Sequence, residues 1–231
     1  MRKIIFIISF ICLGMVLLAQ TSEATPEPET PVVKFALLSA PVYNLDMQLS
    51  AEMQRVYVTT DFTIEKAMLP QAEYYTFLLS KNAKIEQVYV NKKLTAPIIT
   101  TKLVPQHFNP VFPDSTLLAD DAGIVCYSFN LASSVVKEET VHFQVKYWIP
   151  LPEWQLNAEG CKFACFKADQ FWYPRNIVGS SIVKGKLVTS ERYSLNMGTT
   201  CPCTDADGIR THSSTFTDSP GSNPVLTIIK S

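Results

Sequence analysis

The sequence predicts an all-β protein, built as an antiparallel sandwich or saddle. Apolar residues recur at every second position in several runs, which is the pattern of a strand with one buried face. Turn-forming residues separate these runs. No stretch keeps a sustained apolar period of 3.6 residues between helix caps. Short, regularly spaced strands with turn signals between them are typical of sandwich-like sheets.

Two runs show the alternation most clearly. In Gln54–Ile64, the even positions from Val56 are mostly apolar. Val141–Tyr147 alternates cleanly and places His142 and Lys146 on its solvent face, which predicts that His142 is a solvated surface histidine. Further strands are predicted at Tyr74–Leu79, Ile85–Val90, Ile124–Leu131 and Ser181–Thr189. Turn signals fall at residues 91–92, 120–123, 157–160 and 219–224.

The N-terminus has the pattern of an export signal. A positive start at Met1–Lys3 precedes an apolar run over residues 4–19, and small residues lead up to a predicted cleavage site after Ala24. The apolar run is shorter than the about 20 residues that a membrane span needs, so an anchor that stays uncleaved is the lesser alternative. We expect a signal peptide at 1–24, a proline-rich tether at 25–31 and a single β-domain at 32–231. The protein is therefore expected to be secreted, periplasmic or at the cell surface, with membrane contact only through an uncleaved signal.

Composition excludes several classes of function. Lys and Arg number 20 against 21 Asp and Glu, and this balance argues against a nucleic-acid partner, which normally needs a basic surface. No glycine-rich phosphate loop is present. The three histidines, at positions 107, 142 and 212, are never four residues apart, so no H-E-x-x-H zinc motif exists. No nucleophile elbow of the G-x-S-x-G type occurs either.

Three segments in order resemble a known domain. They are the run from Ala40-Pro-Val-Tyr43 to Phe62-Thr-Ile64, the run Tyr75–Asn91, and Phe171-Trp-Tyr-Pro174-Arg175 with the strand that follows it. Their order and spacing are similar to the N-terminal β-domain of zinc aminopeptidases of the aminopeptidase N and leukotriene-hydrolase type. The resemblance extends over nearly all of residues 36–231, and the run Trp172–Arg175 is its most specific part.

The resemblance implies a domain without its own catalysis. In that family the catalytic domain follows this one and carries H-E-x-x-H with a downstream Glu, whereas this chain ends at Ser231, where the β-domain would end. We therefore expect no catalytic, cofactor-binding or metal-binding residues. The family's β-domain often supplies a Gln that holds the substrate amine. Gln170 lies near that position, but its neighbours do not match the family pattern, so the role is not transferred to it.

Cysteines are the most unusual feature of the region after the signal. Cys161 and Cys165 form one close pair and Cys201 and Cys203 another, and exported chains meet oxidising conditions. One or two disulfides between the two pairs are predicted, because a bond within Cys201-Pro-Cys203 would be strained. A four-thiolate zinc site is the alternative, although the spacings differ from the usual C-x2-C knuckle. Cys126 is expected to be a lone core thiol.

The expected function is binding. The domain would dock onto a separately encoded peptidase, or capture a peptide by adding a strand at a sheet edge. Two alternatives remain open: a truncated aminopeptidase that is inactive by itself, and an unrelated surface sandwich that binds peptide or carbohydrate. Trp154, Trp172 and Tyr173 are the candidates for an exposed aromatic binding surface, although the alternation of aromatic residues within a sheet favours the core for them.

Overall fold

Three β-sheets make up the part of the chain that the computed structural model describes. These residues are 35–36, 38–69, 72–100, 108–109, 123–132, 135–158, 160–176, 178–190, 192–196, 203–206, 209–219 and 222–230. The signal peptide and the tether lie outside them and stay predictions. None of the residues so described forms a helix that is long and apolar enough to cross a membrane.

The strands are, in chain order, β1 (Phe35–Ala36), β2 (Val42–Ser50), β3 (Arg55–Glu65), β4 (Tyr74–Ser80), β5 (Lys84–Val90), β6 (Lys93–Leu94), β7 (Ile98–Thr100), β8 (Phe108–Asn109), β9 (Ile124–Asn130), β10 (Thr140–Pro150), β11 (Gln155–Leu156), β12 (Lys162–Lys167), β13 (Ser181–Ser190), β14 (Tyr193–Asn196), β15 (Cys203–Ala206), β16 (Ile209–Asp218) and β17 (Val225–Lys230). Single 3₁₀ turns lie at Lys66–Met68 and Ala168–Gln170. Each strand predicted from the alternation is present, and the all-β prediction is confirmed.

The largest sheet has eight strands in the order β15-β16-β13-β2-β3-β10-β5-β6. Within it, β3 and β10 pair in antiparallel fashion along the whole of both strands. The predicted alternation is visible in the burial, because Val141, Phe143 and Val145 are buried while His142 and Lys146 are partly exposed on the other side. This sheet therefore has one face in the core and one face toward solvent.

Two smaller sheets complete the fold. One has five strands in the order β7-β9-β4-β1-β8, and the other has four in the order β11-β12-β17-β14. A cluster of aromatic rings packs between the largest sheet and the five-stranded sheet. Phe62 stacks on Phe143 with ring centroids 5.0 Å apart, and Phe77 meets Phe62 edge-on at 6.1 Å. Such pairs stabilise a fold beyond the area that they bury.

The sheets are mixed and not purely antiparallel. β2 and β13 pair in parallel, with Val42 opposite Ile182, and β1 pairs in parallel with both β4 and β8. Parallel neighbours require a long crossover connection. Here the whole run from β3 to β12 lies between β2 and β13.

Candidate functional site

The four-stranded sheet has apolar side chains on both of its faces. Toward the core, Ala164 and Ile228 are fully buried. On the opposite side lies a surface that we name the small-sheet face. It consists of Phe163, Cys165 and Lys167 of β12, Val225, Thr227 and Ile229 of β17, and, on the two outer strands, Gln155 of β11 with Ser194 and Asn196 of β14.

Neighbouring strands build the small-sheet face in register. Phe163 of β12 lies opposite Ile229 of β17, and Cys165 lies opposite Thr227, with 3.4 Å between Cys165 Sγ and Thr227 Oγ1. Val225 at the end of the face is 38% exposed. The face is thus mixed: Phe163, Cys165, Val225 and Ile229 lie on the two central strands, and the outer strands add the polar Gln155, Ser194 and Asn196.

The outer face of the eight-stranded sheet has a different chemistry. One row across it runs through Lys186, Asp46, Thr59 and Lys146 on four neighbouring strands. This alternation of charges and hydroxyls is typical of a face in contact with water. The two outer faces therefore differ, because the central strands of the small-sheet face carry more apolar side chains.

A groove opens beside the same sheet, where β11 separates from β12. The two strands pair only at Gln155 with Phe163 and at Leu156 with Lys162. Before β11, the segment Pro150–Glu153 leaves a gap of about 710 Å³ against β12. The residues that line the groove are Ser80, Lys81, Asn82, Gly123, Ile149, Pro150, Leu151, Pro152, Glu153, Phe166, Lys167, Asp169, Gln170 and Trp172.

One edge of β12 pairs with β11 over two residues only, and Lys167 at its end lines the groove. In an antiparallel pair, successive residues direct their N–H and C=O groups to opposite sides. Ala168 donates its N–H to Pro224 O on the β17 side, at 3.0 Å. Phe163, Cys165 and Lys167 consequently face the β11 side. Among the described residues no strand pairs with Cys165 or Lys167 there.

A buried segment, Phe171–Asn176, lies under the groove and joins the sheets. Phe171 O accepts a hydrogen bond from Ser80 N at 2.8 Å, and Arg175 exchanges backbone hydrogen bonds with Leu78 at 2.9 and 3.0 Å. Asn176 Nδ2 donates to Thr76 O at 2.8 Å. The segment begins with an unusual backbone turn, because Phe171 has φ 51° and ψ 45° in the left-handed region.

A charged cluster anchors this segment to the eight-stranded sheet. The Arg175 guanidinium donates to both carboxylate oxygens of Asp218, and Tyr173 donates its hydroxyl to the same carboxylate. Burial and the negative charge of Asp218 raise the pKa of Tyr173 well above its usual range. Burial would lower the pKa of Arg175, but the hydrogen bonds and charge of Asp218 outweigh it and the pKa is raised. The cluster is therefore a fixed ion pair with a neutral tyrosine.

The prediction that Trp154, Trp172 and Tyr173 form an exposed binding surface is wrong for two of the three residues. Trp172 and Tyr173 are 2% and 0% exposed, so they cannot form an exposed binding surface. They lie in the segment that connects the sheets, and Tyr43 packs edge-on against Tyr173. Trp154 is half-buried and stacks on Tyr193 with ring centroids 6.0 Å apart.

Trp172 is also one of the lining residues of the groove. Its Nε1 is buried, and among the described residues no acceptor lies within hydrogen-bonding distance of it. A buried donor without an acceptor costs about 1–3 kcal/mol. Because this nitrogen has almost no accessible surface, it is an unpaired donor of the core and not part of the open wall of the groove.

The predicted cysteine bridges stay predictions. Cys161 and Cys165 are free thiols in the part of the chain that is described. Cys201 lies outside the described residues, and Cys203 is placed only by its backbone, on β15 of the eight-stranded sheet. Cys126 is buried and free, which confirms it as a lone core thiol, and burial raises its pKa.

The two histidines within the described residues, His142 and His212, lie on different strands of the eight-stranded sheet. His142 lies on the solvent face as predicted, with Nε2 at 3.4 Å from Asp61 Oδ1. His212 is buried in β16, and His107 is outside the described residues. Over the described ranges, no three His, Cys, Asp or Glu side chains converge as metal ligands would.

Sequence reasoning missed the groove and the small-sheet face. The signal for the face was present, because Phe163, Cys165 and Ile229 occupy the odd positions of strands whose even positions are also apolar. The groove had no such signal. It depends on where two strands separate, which no local pattern reveals.

Comparison with solved structures identifies the fold. An M1 zinc metallopeptidase from Deinococcus radiodurans, in a structure bound to a Tyr-Ser-Ala substrate, matches with a TM-score of 0.51 and 10% identity over 81% of this chain and 41% of its own. Yeast LTA4 hydrolase matches with a TM-score of 0.55 and 9% identity over 83% of this chain and 29% of its own. No protein-family model and no curated protein matches the sequence. The chain therefore has the fold that its sequence predicts, that of the N-terminal β-domain of M1 aminopeptidases, and it spans less than half the length of these relatives.

Proposed function

We propose that this chain is an exported docking domain that has no catalytic activity of its own and binds the catalytic domain of a zinc metallopeptidase. The observation that carries the proposal is the small-sheet face. Its two central strands present Phe163, Cys165, Val225 and Ile229, and the outer strands flank them with polar side chains. An apolar centre with a polar rim is the usual composition of a protein–protein interface.

The fold supports the identity of the partner. The metallopeptidases that this chain resembles in structure are more than twice as long as the matched part. A β-domain of this fold thus occurs together with peptidase machinery. The sequence has no H-E-x-x-H motif, which favours a non-catalytic role for this chain. The catalytic zinc site would then lie in the partner.

Export is part of the same proposal. The positive start, the apolar run and the small residues before Ala24 support secretion into an oxidising compartment. The partner would then be an exported peptidase. If the catalytic domain belonged to the same polypeptide, it would use the same face. Sequencing the gene downstream of the codon for Ser231 distinguishes this arrangement from a separately encoded peptidase.

The structure does not support the carbohydrate-binding alternative, because one of its two proposed stacking residues is buried. It relied on Trp154 and Trp172 as stacking surfaces, and Trp172 is buried. A peptide-binding alternative keeps its support, because the groove beside β12 remains open to solvent.

Affinity capture from the exported fraction of the native organism tests the docking function. Phe163→Asp places a charge at the centre of the small-sheet face, whereas Ile182→Asp places the same charge on the outer face of β13, where Ile182 is 44% exposed. We expect the wild-type chain and Ile182→Asp to retain a protein that carries H-E-x-x-H and hydrolyses an amino-acid anilide. Phe163→Asp should lose it while keeping the thermal midpoint of Ile182→Asp. Equal capture by both variants, or no metallopeptidase in the wild-type sample, would contradict the proposal.

A further inference from the structure

We propose that residues 93–99 bind the surface of an anionic lipid bilayer, with their apolar side chains at the acyl boundary and neighbouring lysines against the headgroups. These residues connect β6, the last strand of the eight-stranded sheet, to β7, the last strand of the five-stranded sheet. They share no residue with the small-sheet face, so the proposal goes beyond the docking function and does not rest on it. It also goes beyond the expectation that membrane contact is confined to an uncleaved signal.

The apolar side chains of this segment supply the first part of the argument. Leu94 is 63% exposed, Ile98 50% and Ile99 62%. The polar Thr95 between them is half-buried, and its hydroxyl donates to Lys93 O at 2.9 Å. The usual order, in which polar side chains take the exposed positions, is thus reversed. Single exposed aliphatic residues are ordinary, but three of them within six residues form a patch, and such patches mark interaction sites.

Exposed lysines border the patch and supply the second part. They are Lys81, Lys84, Lys92 and Lys93. The first two line one depression of about 570 Å³ together with Leu94 and Ile99, and the last two immediately precede Leu94 in the chain. Over residues 81–99 the single acidic residue is Glu86, against these four lysines, although the whole chain has 20 Lys and Arg against 21 Asp and Glu. The positive charge is therefore concentrated around the patch.

This composition favours a bilayer over a protein partner. The centres of protein interfaces are rich in aromatic residues and Arg and poor in Lys. Apolar side chains flanked by lysines are instead typical of elements that lie in the membrane interface. Each lysine near an anionic leaflet adds to the attraction, and its apolar stem can extend along the lipid while the ammonium group stays in water. The exposed aliphatic patch and its lysines thus complement the two layers of such a surface.

Co-sedimentation with lipid vesicles tests the proposal. The protein is used as residues 25–231, because the apolar run in residues 1–24 would bind lipid by itself and Val33–Ser231 forms one compact unit. We expect binding to vesicles of phosphatidylglycerol and phosphatidylcholine in equal amounts to be at least about tenfold tighter than to phosphatidylcholine alone. Raising the salt concentration should weaken it. Equal binding to both kinds of vesicle, or binding to neither, would overturn the proposal.

Two double substitutions separate the apolar contribution from the electrostatic one. Leu94→Ser with Ile99→Ser removes the aliphatic side chains, and Lys92→Gln with Lys93→Gln removes two charges. Each pair should weaken binding to the mixed vesicles by at least about tenfold. All four positions are exposed, so circular dichroism should give the same thermal midpoint for these variants as for the unchanged protein.

Matched controls lie on the outer face of β13. Ile182→Ser and Lys184→Gln make the same changes at exposed positions there and should leave vesicle binding unchanged. Equal weakening by these controls, or full binding by both double variants, would refute the assignment. Sedimentation without vesicles that the two serine substitutions abolish would instead assign the patch to contact between copies of the chain. Phe163→Asp should bind vesicles normally, which keeps this outcome separate from that of the capture experiment.

Discussion

Asp218 at the end of β16 binds Arg175 through two hydrogen bonds, 2.6 Å from Nε to Oδ2 and 2.7 Å from Nη2 to Oδ1. The two side chains are only 6% and 10% exposed. Arg175 also donates to Ala168 O and Ser222 O, at 3.2 Å each. One carboxylate thereby connects the eight-stranded sheet to the buried segment Phe171–Asn176 and to the loop before β17.

Removing the charge of Asp218 is expected to destabilise the protein strongly. Asp218→Asn keeps the size of the side chain but leaves the Arg175 guanidinium buried without its counter-ion, which costs about 3–5 kcal/mol. Urea unfolding followed by circular dichroism measures the free energy of unfolding. Asp46→Asn, at an exposed position on the outer face of β2, is the control and should change it by less than about 0.5 kcal/mol. Equal effects of the two substitutions would show that the ion pair contributes nothing.

Buried tyrosines set an alkaline limit to stability. Burial raises the pKa of Tyr43 from 10.0 to about 12, and burial also raises the pKa of Tyr75 and Tyr147. A tyrosine that burial keeps neutral stabilises the folded protein fully at any pH below the pKa that it has in the unfolded chain. This contribution to stability is lost as the pH rises through the pKa that it has in the folded protein. We expect the free energy of unfolding to fall steadily above pH 10 and over the range to pH 12.

Tyrosinate absorbance measured alongside circular dichroism checks this expectation. Exposed tyrosines should ionise reversibly before the structure is lost, and the buried ones only together with unfolding. Tyr43→Phe should make the loss of stability less steep. Complete ionisation of all tyrosines in protein that is still folded would be inconsistent with the burial described.

The cysteines can be assigned by intact mass and alkylation. For the protein purified under oxidising conditions, we expect a mass lower by two or four hydrogens than after reduction, and no zinc. Cys126 should resist alkylation until the protein unfolds, because it is buried and its pKa is raised. One equivalent of zinc with four free thiols would instead establish the metal site that the sequence leaves open.

The strands were predictable from the alternation of apolar and polar residues, because a strand with one buried face requires an apolar side chain at every second position. In β3, Val56, Val58 and Phe62 face the core, and each is 3% exposed or less. The predicted two-residue turn at Asn91-Lys92 has positive φ at both residues, which is what a tight hairpin requires. Both features depend on neighbours in sequence, so the sequence displays them.

Sheet direction and aromatic exposure were not predictable in this way. The same alternation would suit β2 whether its neighbour β13 ran parallel or antiparallel. Likewise, the composition of Phe171-Trp172-Tyr173 fits a surface platform as well as a buried crossing. Its burial goes with contacts that are distant in sequence, such as the hydrogen bond of Arg175 to Asp218, and these form only in the folded state.

The parallel pairing of Val42 with Ile182 has a consequence for the time course of folding. The centre of the largest sheet cannot close until a strand from the last quarter of the chain reaches one from the first, and such non-local contacts make folding slow. During synthesis, β2 therefore keeps one edge without its partner strand until β13 has been made, and the largest sheet is completed only when most of the chain exists.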